Sequence, residues 1–133
     1  YPYTLKRADK WINECLKEYT KKKPKELVWA IDINSEICGS IGLDKIENKE
    51  AEVGYWLAEH HWGKGITTEA VREITRFGFE IVGLQKIYAD VFSFNKASMR
   101  VLEKSGYTKE KLLKKHVQKD GKWINCYHFV KNK

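Results

Sequence analysis

The stretch with the most possible chemistry is Glu59-His60-His61-Trp62-Gly63-Lys64-Gly65-Ile66-Thr67-Thr68-Glu69-Ala70. Two glycines one residue apart let successive backbone N–H groups point into a single concavity. A helix beginning just after them adds the unbonded N–H groups and positive dipole end of its first turn. Chemically, that is a seat for a pyrophosphate. Spacing rules out two familiar phosphate loops. Ala58 stands where the first glycine of GxxxxGK[ST] belongs and Gly65 is followed by Ile66, while the third glycine of GxGxxG is replaced by Thr68. The bland alternative is a tight strand-to-helix turn that needs glycine and binds nothing, and the stretch alone leaves both readings open.

The neighbouring His60, His61 and Trp62 invite a metal or general-base reading. Adjacent histidines point in different directions and no carboxylate sits at metal-ligand spacing, so no metal is expected. Cys15, Cys38 and Cys126 are odd in number, far apart and in no CxxC pair, which argues against a disulfide framework or a zinc knuckle. Three reduced thiols in a cytoplasmic protein are the expectation.

Composition narrows the partners. The 133 residues carry 25 Lys+Arg against 18 Asp+Glu, a net charge of +7 that favours anionic partners such as a phosphorylated cofactor. Lys21–Lys25, Lys109–Lys119 and the five Trp permit RNA contact, but a solvated lysine face explains them as well, so nucleic acid is not expected. A chain that is 42% hydrophobic and 13% aromatic is not a disordered segment. No apolar run approaches the ~20 residues that span a bilayer, and the start shows no leader pattern, so no membrane partner is expected.

These residues need elements to position them. With only Pro2 and Pro24 and no Gly/Ser-rich linker, residues 1–133 read as one domain. Trp11, Ile12, Cys15, Leu16 and Tyr19 recur at helical spacing after Asp9, a plausible cap. Leu27–Ile31 and Ile37–Ile41 are β-rich and flank the turn signal Asn34-Ser35-Glu36, predicting a hairpin. A third strand is predicted over Ala51–Ala58. Its alternation puts Glu52, Gly54 and Trp56 on one face and Val53, Tyr55 and Leu57 on the other. Val71, Ile74, Phe77 and Ile81 mark an amphipathic helix starting at Thr67 or Thr68. A strand over Lys86–Phe92 and a short helix opened by Asn95 follow. Two strand-like runs, Tyr107–Val117 and Trp123–Val130, surround the turn Asp120-Gly121-Lys122. The order α-β-β-β-α-β-α-β-β makes a mixed α+β or α/β sheet fold.

One further stretch, Asn95-Lys96-Ala97-Ser98-Met99-Arg100-Val101-Leu102-Glu103-Lys104-Ser105-Gly106-Tyr107, changes the weight of the glycine turn. With Glu52-Val53-Gly54-Tyr55-Trp56-Leu57 and Gly63–Ala70, it closely resembles the GCN5-related N-acetyltransferase (GNAT) superfamily. Within it, the chain is similar to the RimJ/RimL-like protein N-terminal acetyltransferases. The resemblance implies a mostly antiparallel twisted sheet, splayed between two strands, with helices on both faces. It also implies that an initial strand and helix are missing before Tyr1-Pro2-Tyr3-Thr4-Leu5. Acetyl-CoA would rest its pyrophosphate on the backbone of Gly63, Lys64, Gly65, Ile66 and Thr67. Its pantetheine arm would pair with Trp56, Leu57 and Ala58 and with the side chain of Asn95, whose other reading is a helix N-cap. Gly54 inside a strand suggests a bulge there.

Acetyl transfer needs a neutral amine, a stabilised oxyanion and a proton for the departing thiolate. An α-amine, with pKa near ~7.7–8.0, is already partly neutral at pH 7, whereas a lysine amine near ~10.4 is not. By resemblance, Glu52 is the candidate base; its alternative is an ordinary solvated glutamate beside Glu47 and Glu50. The tyrosine that commonly protonates the thiolate would fall at Leu102, which has no proton to give. In the RimJ/RimL-like branch a serine takes that part and aligns with Ser98, whose alternative is a second capping hydroxyl. His60 stands where the usual pyrophosphate motif has Gln or Arg. The reading is an acetyl-CoA-dependent N-acetyltransferase acting on a protein or peptide N-terminal amine. Small-amine acetylation (a polyamine or aminoglycoside) and a non-catalytic acetyl-CoA- or RNA-binding module are its rivals. A homodimer is admitted.

Overall fold

A computed structural model of the chain describes residues 3–4 and 25–133, with side chains for 25–133. The helix expected around Asp9–Tyr19 and the thiol of Cys15 lie outside the described residues. The strands are β1 Tyr3–Thr4, β2 Leu27–Ile33, β3 Glu36–Glu47, β4 Glu50–Leu57, β5 Lys86–Phe92, β6 Thr108–Lys119 and β7 Lys122–Asn132. Helix α1 spans Ile66–Phe77 and α2 spans Lys96–Lys104.

The seven strands form one sheet in the order β1-β2-β3-β4-β5-β7-β6. Every neighbouring pair is antiparallel except β4 and β5, which run parallel across the α1 crossover. Three tight hairpins join strands through Asn34-Ser35, Asn48-Lys49 and Asp120-Gly121, all with positive φ. That is the left-handed turn geometry whose twist matches the flanking strands, and Asn, Asp and Gly tolerate it best.

Alternation sorts the sheet into two faces. Leu27, Trp29 and Ile31 of β2 are buried with Ile41, Leu43, Val53, Leu57, Ile87, Ala89 and Phe129 in one core. The stripe Ile66, Ala70, Val71, Ile74 and Phe77 of α1 joins that core, with Phe77 meeting Trp29 edge-on at 5.1 Å. Burying each such Ile or Phe contributes roughly 1.5–3 kcal/mol. Leu102 anchors α2 beside α1, so both helices of the described residues cover the same face.

Three details differ from the sequence expectations. Ile81, placed on the apolar stripe by its spacing, is 44% exposed. The helix ends in a π turn over Gly78–Val82, and its wider turn shifts the phase so that Phe79 and Val82 point inward instead. No bulge occurs at Gly54. It pairs with Gly42 in regular register, and the shift lies between Asp44 and Glu47. The third strand ends at Leu57, one residue short, because Ala58 opens a 3-10 turn over Glu59–His61.

The sheet is splayed at its centre. β4 pairs with β5 only at Glu50, Ala51 and Glu52. Beyond that β4 follows β3 to Leu57, while β5 follows β7 to Phe92. Among the described residues, the β5-facing edge of β4 past Glu52 is left without a strand partner.

Candidate active site

The splay opens into a cleft of about 650 Å³ between the end of β4, the glycine turn and α2. Gly63 and Gly65 adopt left-handed φ of 78° and 76°. A β-carbon built at either would meet nothing within 4 Å among the described residues, which leave the space over the turn open. Gly65 is the N-cap of α1, and the first helical bond runs from the Glu69 N–H to the Gly65 carbonyl at 3.1 Å. The N–H groups of Ile66, Thr67 and Thr68 therefore have no intrahelical acceptor. An anion seated there would be held by backbone donors and the helix dipole.

Two contacts hold this turn against the sheet. The Trp62 indole N–H donates to the Leu57 carbonyl at 2.6 Å, and the Ala58 N–H donates to the Cys38 carbonyl at 2.7 Å. Cations gather at the cleft wall: Lys64 from the turn, with Arg100 and Lys104 from α2. None of the three is in an ion pair among the described residues, so their charge is available to an anionic ligand. Arg100 and Lys104 escaped the sequence reading. The four-residue spacing of Lys96, Arg100 and Lys104 was the available signal, since it puts cations along one helix face.

Of the residues expected to hold the cofactor, Trp56, Leu57, Gly63, Lys64, Gly65, Ile66, Thr67, Asn95 and Ser98 all line this cleft. Ala58 does not. Its N–H is taken by Cys38 and its carbonyl by the His61 N–H at 2.9 Å, so it offers no backbone edge to a ligand. Asn95 is the N-cap of α2, its Oδ1 accepting from the Ser98 N–H at 3.1 Å. The cap uses only the carbonyl half of that amide, which leaves the NH2 for the cleft.

Ser98 has a partner the sequence reading missed. Its hydroxyl lies 2.7 Å from the Tyr55 hydroxyl, which also donates to the Ser98 carbonyl at 3.3 Å. Tyr55 reaches α2 because it shares the inward face of β4 with Val53 and Leu57. The alternation showed that face, but not the helix residue it would meet. Burial pushes the Tyr55 phenol above its ordinary value, against a smaller opposing effect of the Ser98 hydrogen bond. It stays protonated at neutral pH. Ser98 and Tyr55 thus form a hydrogen-bonded pair of hydroxyls lining the cleft.

Glu52 lies on the opposite face of β4, so the structure does not bring it together with Ser98. Its carboxylate is 3.2 Å from the Lys45 ammonium, and that contact raises the lysine's pKa. Beside it on the same face, Gly54 and Trp56 border a shallow groove of about 280 Å³ with Val28, Ser40 and Asp44. A built β-carbon on Gly54 would meet nothing within 4 Å among the described residues, which leave this face of β4 open over its middle. Trp56 borders both the groove and the main cleft and is 58% exposed. Farther across the open face, the Asp90 carboxylate lies 2.6 Å from His128 Nδ1 and 3.3 Å from His116 Nε2.

Tyr107, which closes the downstream motif, is 3% exposed and shares a 2.7 Å hydrogen bond with Thr75. It packs α2 against α1 and does not line the cleft. No helix among the described residues is long and apolar enough to cross a membrane.

Residues 1–108 match the acetyltransferase (GNAT) domain family. The chain is 38% identical over 96 residues to the uncharacterized N-acetyltransferase p20 of Bacillus licheniformis, covering 71% of this chain and 54% of that protein. It spans about half the length of that relative. Among solved structures, it is similar to the ribosomal-protein-S5-alanine acetyltransferase of Vibrio fischeri. The TM-score is 0.80 at 26% identity, over 90% of this chain and 67% of that one. It shares its fold with a chimera of the spermidine N-acetyltransferase SpeG of Vibrio cholerae and hSSAT. There the TM-score is 0.78 at 22% identity, over 90% of this chain and 75% of that one.

Proposed function

The chain belongs to the GNAT acetyltransferase family, and from that premise we propose that it moves an acetyl group from acetyl-CoA to the α-amine of a protein or peptide. One observation carries the cofactor part. The open glycine turn, the unpaired edge of β4, Asn95 and Ser98 all border the same cleft. Free N–H groups and Lys64 suit the pyrophosphate, and the strand edge suits an amide-bearing arm that adds on like a strand.

In the transfer, the amine nitrogen attacks the thioester carbonyl carbon, the carbon–sulfur bond breaks, and the amine's proton leaves to solvent or base. The departing thiolate needs one proton. Ser98 is the group proposed to give it, regaining one from solvent through the open cleft, with the Tyr55 hydroxyl 2.7 Å away holding the serine in place. The acceptor comes from the other side of β4, over Gly54 and Trp56, within reach of a water relay to Glu52. That carboxylate already engages Lys45. An α-amine, partly neutral at pH 7, asks less of such a base than a lysine or polyamine amine does.

The likeness in fold to a spermidine acetyltransferase gives the rival acceptor, a polyamine. The test is direct. Peptides with a free α-amine, the same peptides blocked at that amine but carrying lysine, and spermidine are offered with acetyl-CoA. Transfer to the free α-amine at least tenfold faster than to the others is expected. Preference for spermidine would replace the peptide reading. Acetyl-CoA binding without transfer to any acceptor would leave a non-catalytic cofactor-binding module.

A further inference from the structure

The pair His60-His61 acquires a third member in three dimensions. Ala58 hydrogen-bonds the Cys38 carbonyl, which sets the 3-10 turn directly over this residue of β3. Cys38 is 2% exposed, with its thiol donating to the Glu36 carbonyl at 3.3 Å. The two imidazoles do not diverge as the sequence suggested: their ring centroids are 4.1 Å apart. One sulfur and two ring nitrogens, one from each residue, all lie within 4.8 Å of one another.

We infer that Cys38, His60 and His61 form a zinc site. Tetrahedral zinc, with Zn–S about 2.3 Å and Zn–N about 2.0–2.1 Å, needs donor separations of roughly 3.3–3.6 Å. The gap is on the order of 1 Å, within reach of a torsional adjustment by the exposed His60. A thiolate with two imidazoles selects zinc over calcium or magnesium, which take oxygen ligands. Three protein ligands leave the fourth position to water.

Binding releases the thiol proton to solvent as the sulfur–metal bond forms. Because binding displaces that proton, zinc affinity rises with pH. The ion ties the start of β3 to the segment entering Gly63–Gly65. Because the three donors converge only in the folded chain, zinc raises the unfolding temperature.

Cobalt(II) is the probe, titrated into untagged, metal-free protein. The expected result is one equivalent bound, with the visible bands of tetrahedral cobalt, a thiolate-to-cobalt charge-transfer band, and displacement by zinc. Cys38→Ser removes the charge-transfer band, whereas Cys126→Ser and Cys15→Ser keep it. His60→Ala and His61→Ala each weaken cobalt binding at least about tenfold. His60→Ala alters an exposed turn, so it reports on ligation even where Cys38→Ser fails to fold. Absence of the charge-transfer band at one equivalent overturns the site. So does its survival in Cys38→Ser, or undiminished affinity when both histidines are replaced.

Discussion

The two sides of β4 are built to different standards. On the inward side the serine and the glycine turn at the heart of the cleft are each held by neighbouring groups. Ser98 is fixed by Asn95 and Tyr55, and the glycine turn is pinned through Trp62 and Ala58. On the outward side, Glu52 has one lysine partner that is itself 65% exposed, and Gly54 and Trp56 border a groove open to solvent. The inward side is preorganised, as a seat for one constant ligand should be. In the proposed function the outward side would be completed by the acceptor, and on a shared scaffold such a surface is free to vary with substrate.

The largest effect should come from breaking the inward side at its turn. Gly65→Val puts a β-branched residue at a φ of 76°, costing on the order of 1–2 kcal/mol, and places a side chain over the helix N–H groups. Acetyl-CoA affinity by calorimetry is expected to fall about a hundredfold or more, with the circular dichroism of the fold retained. An unchanged affinity would place the cofactor elsewhere.

Next is the hydroxyl pair. Ser98→Ala should lower kcat about a hundredfold while leaving acetyl-CoA affinity within a few-fold, since the Asn95 cap uses the Ser98 backbone N–H and survives. Tyr55→Phe should cost less, about tenfold, because serine keeps its own proton. If Ser98→Ala turns over normally, the inward side binds without doing chemistry.

A smaller effect tests the outward side. Glu52→Gln should slow transfer to an α-amine about tenfold at pH 7. That defect should shrink above about pH 8, where the amine has already lost its proton. A pH-independent defect would make Glu52 a positioning residue rather than a base.

The smallest differences are in stability, read by urea unfolding. Lys45→Met breaks an exposed ion pair and should cost at most about 1 kcal/mol. Tyr107→Phe strands the buried Thr75 hydroxyl on the inward side and should cost about 1–3 kcal/mol at pH 8. Burial raises the Tyr107 phenol well above its ordinary value. The unfolded chain ionises near pH 10 and the folded chain does not, so wild-type stability is complete below about pH 10 and falls as pH rises past it. Phenylalanine lacks that loss, and the gap between the two proteins should narrow above pH 10.

Much of the inward side was legible in the sequence because its signals are local. The two glycines, the cap at Asn95 and the stripe of α1 act within a few residues of themselves. Local backbone preference and hydrophobic period therefore determined the strands from Leu27 onward, the hairpins at Asn34-Ser35 and Asp120-Gly121 and the glycine turn, but not the hairpin at Asn48-Lys49. Even there, the π turn at Gly78–Val82 rotated Ile81 outward, because core packing overrode a period read four residues at a time.

The pairings across the sheet were a different matter. Alternation put Tyr55 on one face with Val53 and Leu57, but only the packing of α2 on β4 set it against Ser98. Spacing kept His60 and His61 apart from any ligand, and only the 3-10 turn folding back over β3 brought Cys38 beneath them. Ala58 read as the end of a strand until Cys38 and His61 took its backbone. The sequence by itself determined which residues repeat, turn and cap, since those energies belong to neighbours along the chain. The tertiary structure decided which hydroxyl, thiol and carbonyl meet, since those contacts depend on sheet register and on the seat of a helix, and packing across distant segments alone sets both.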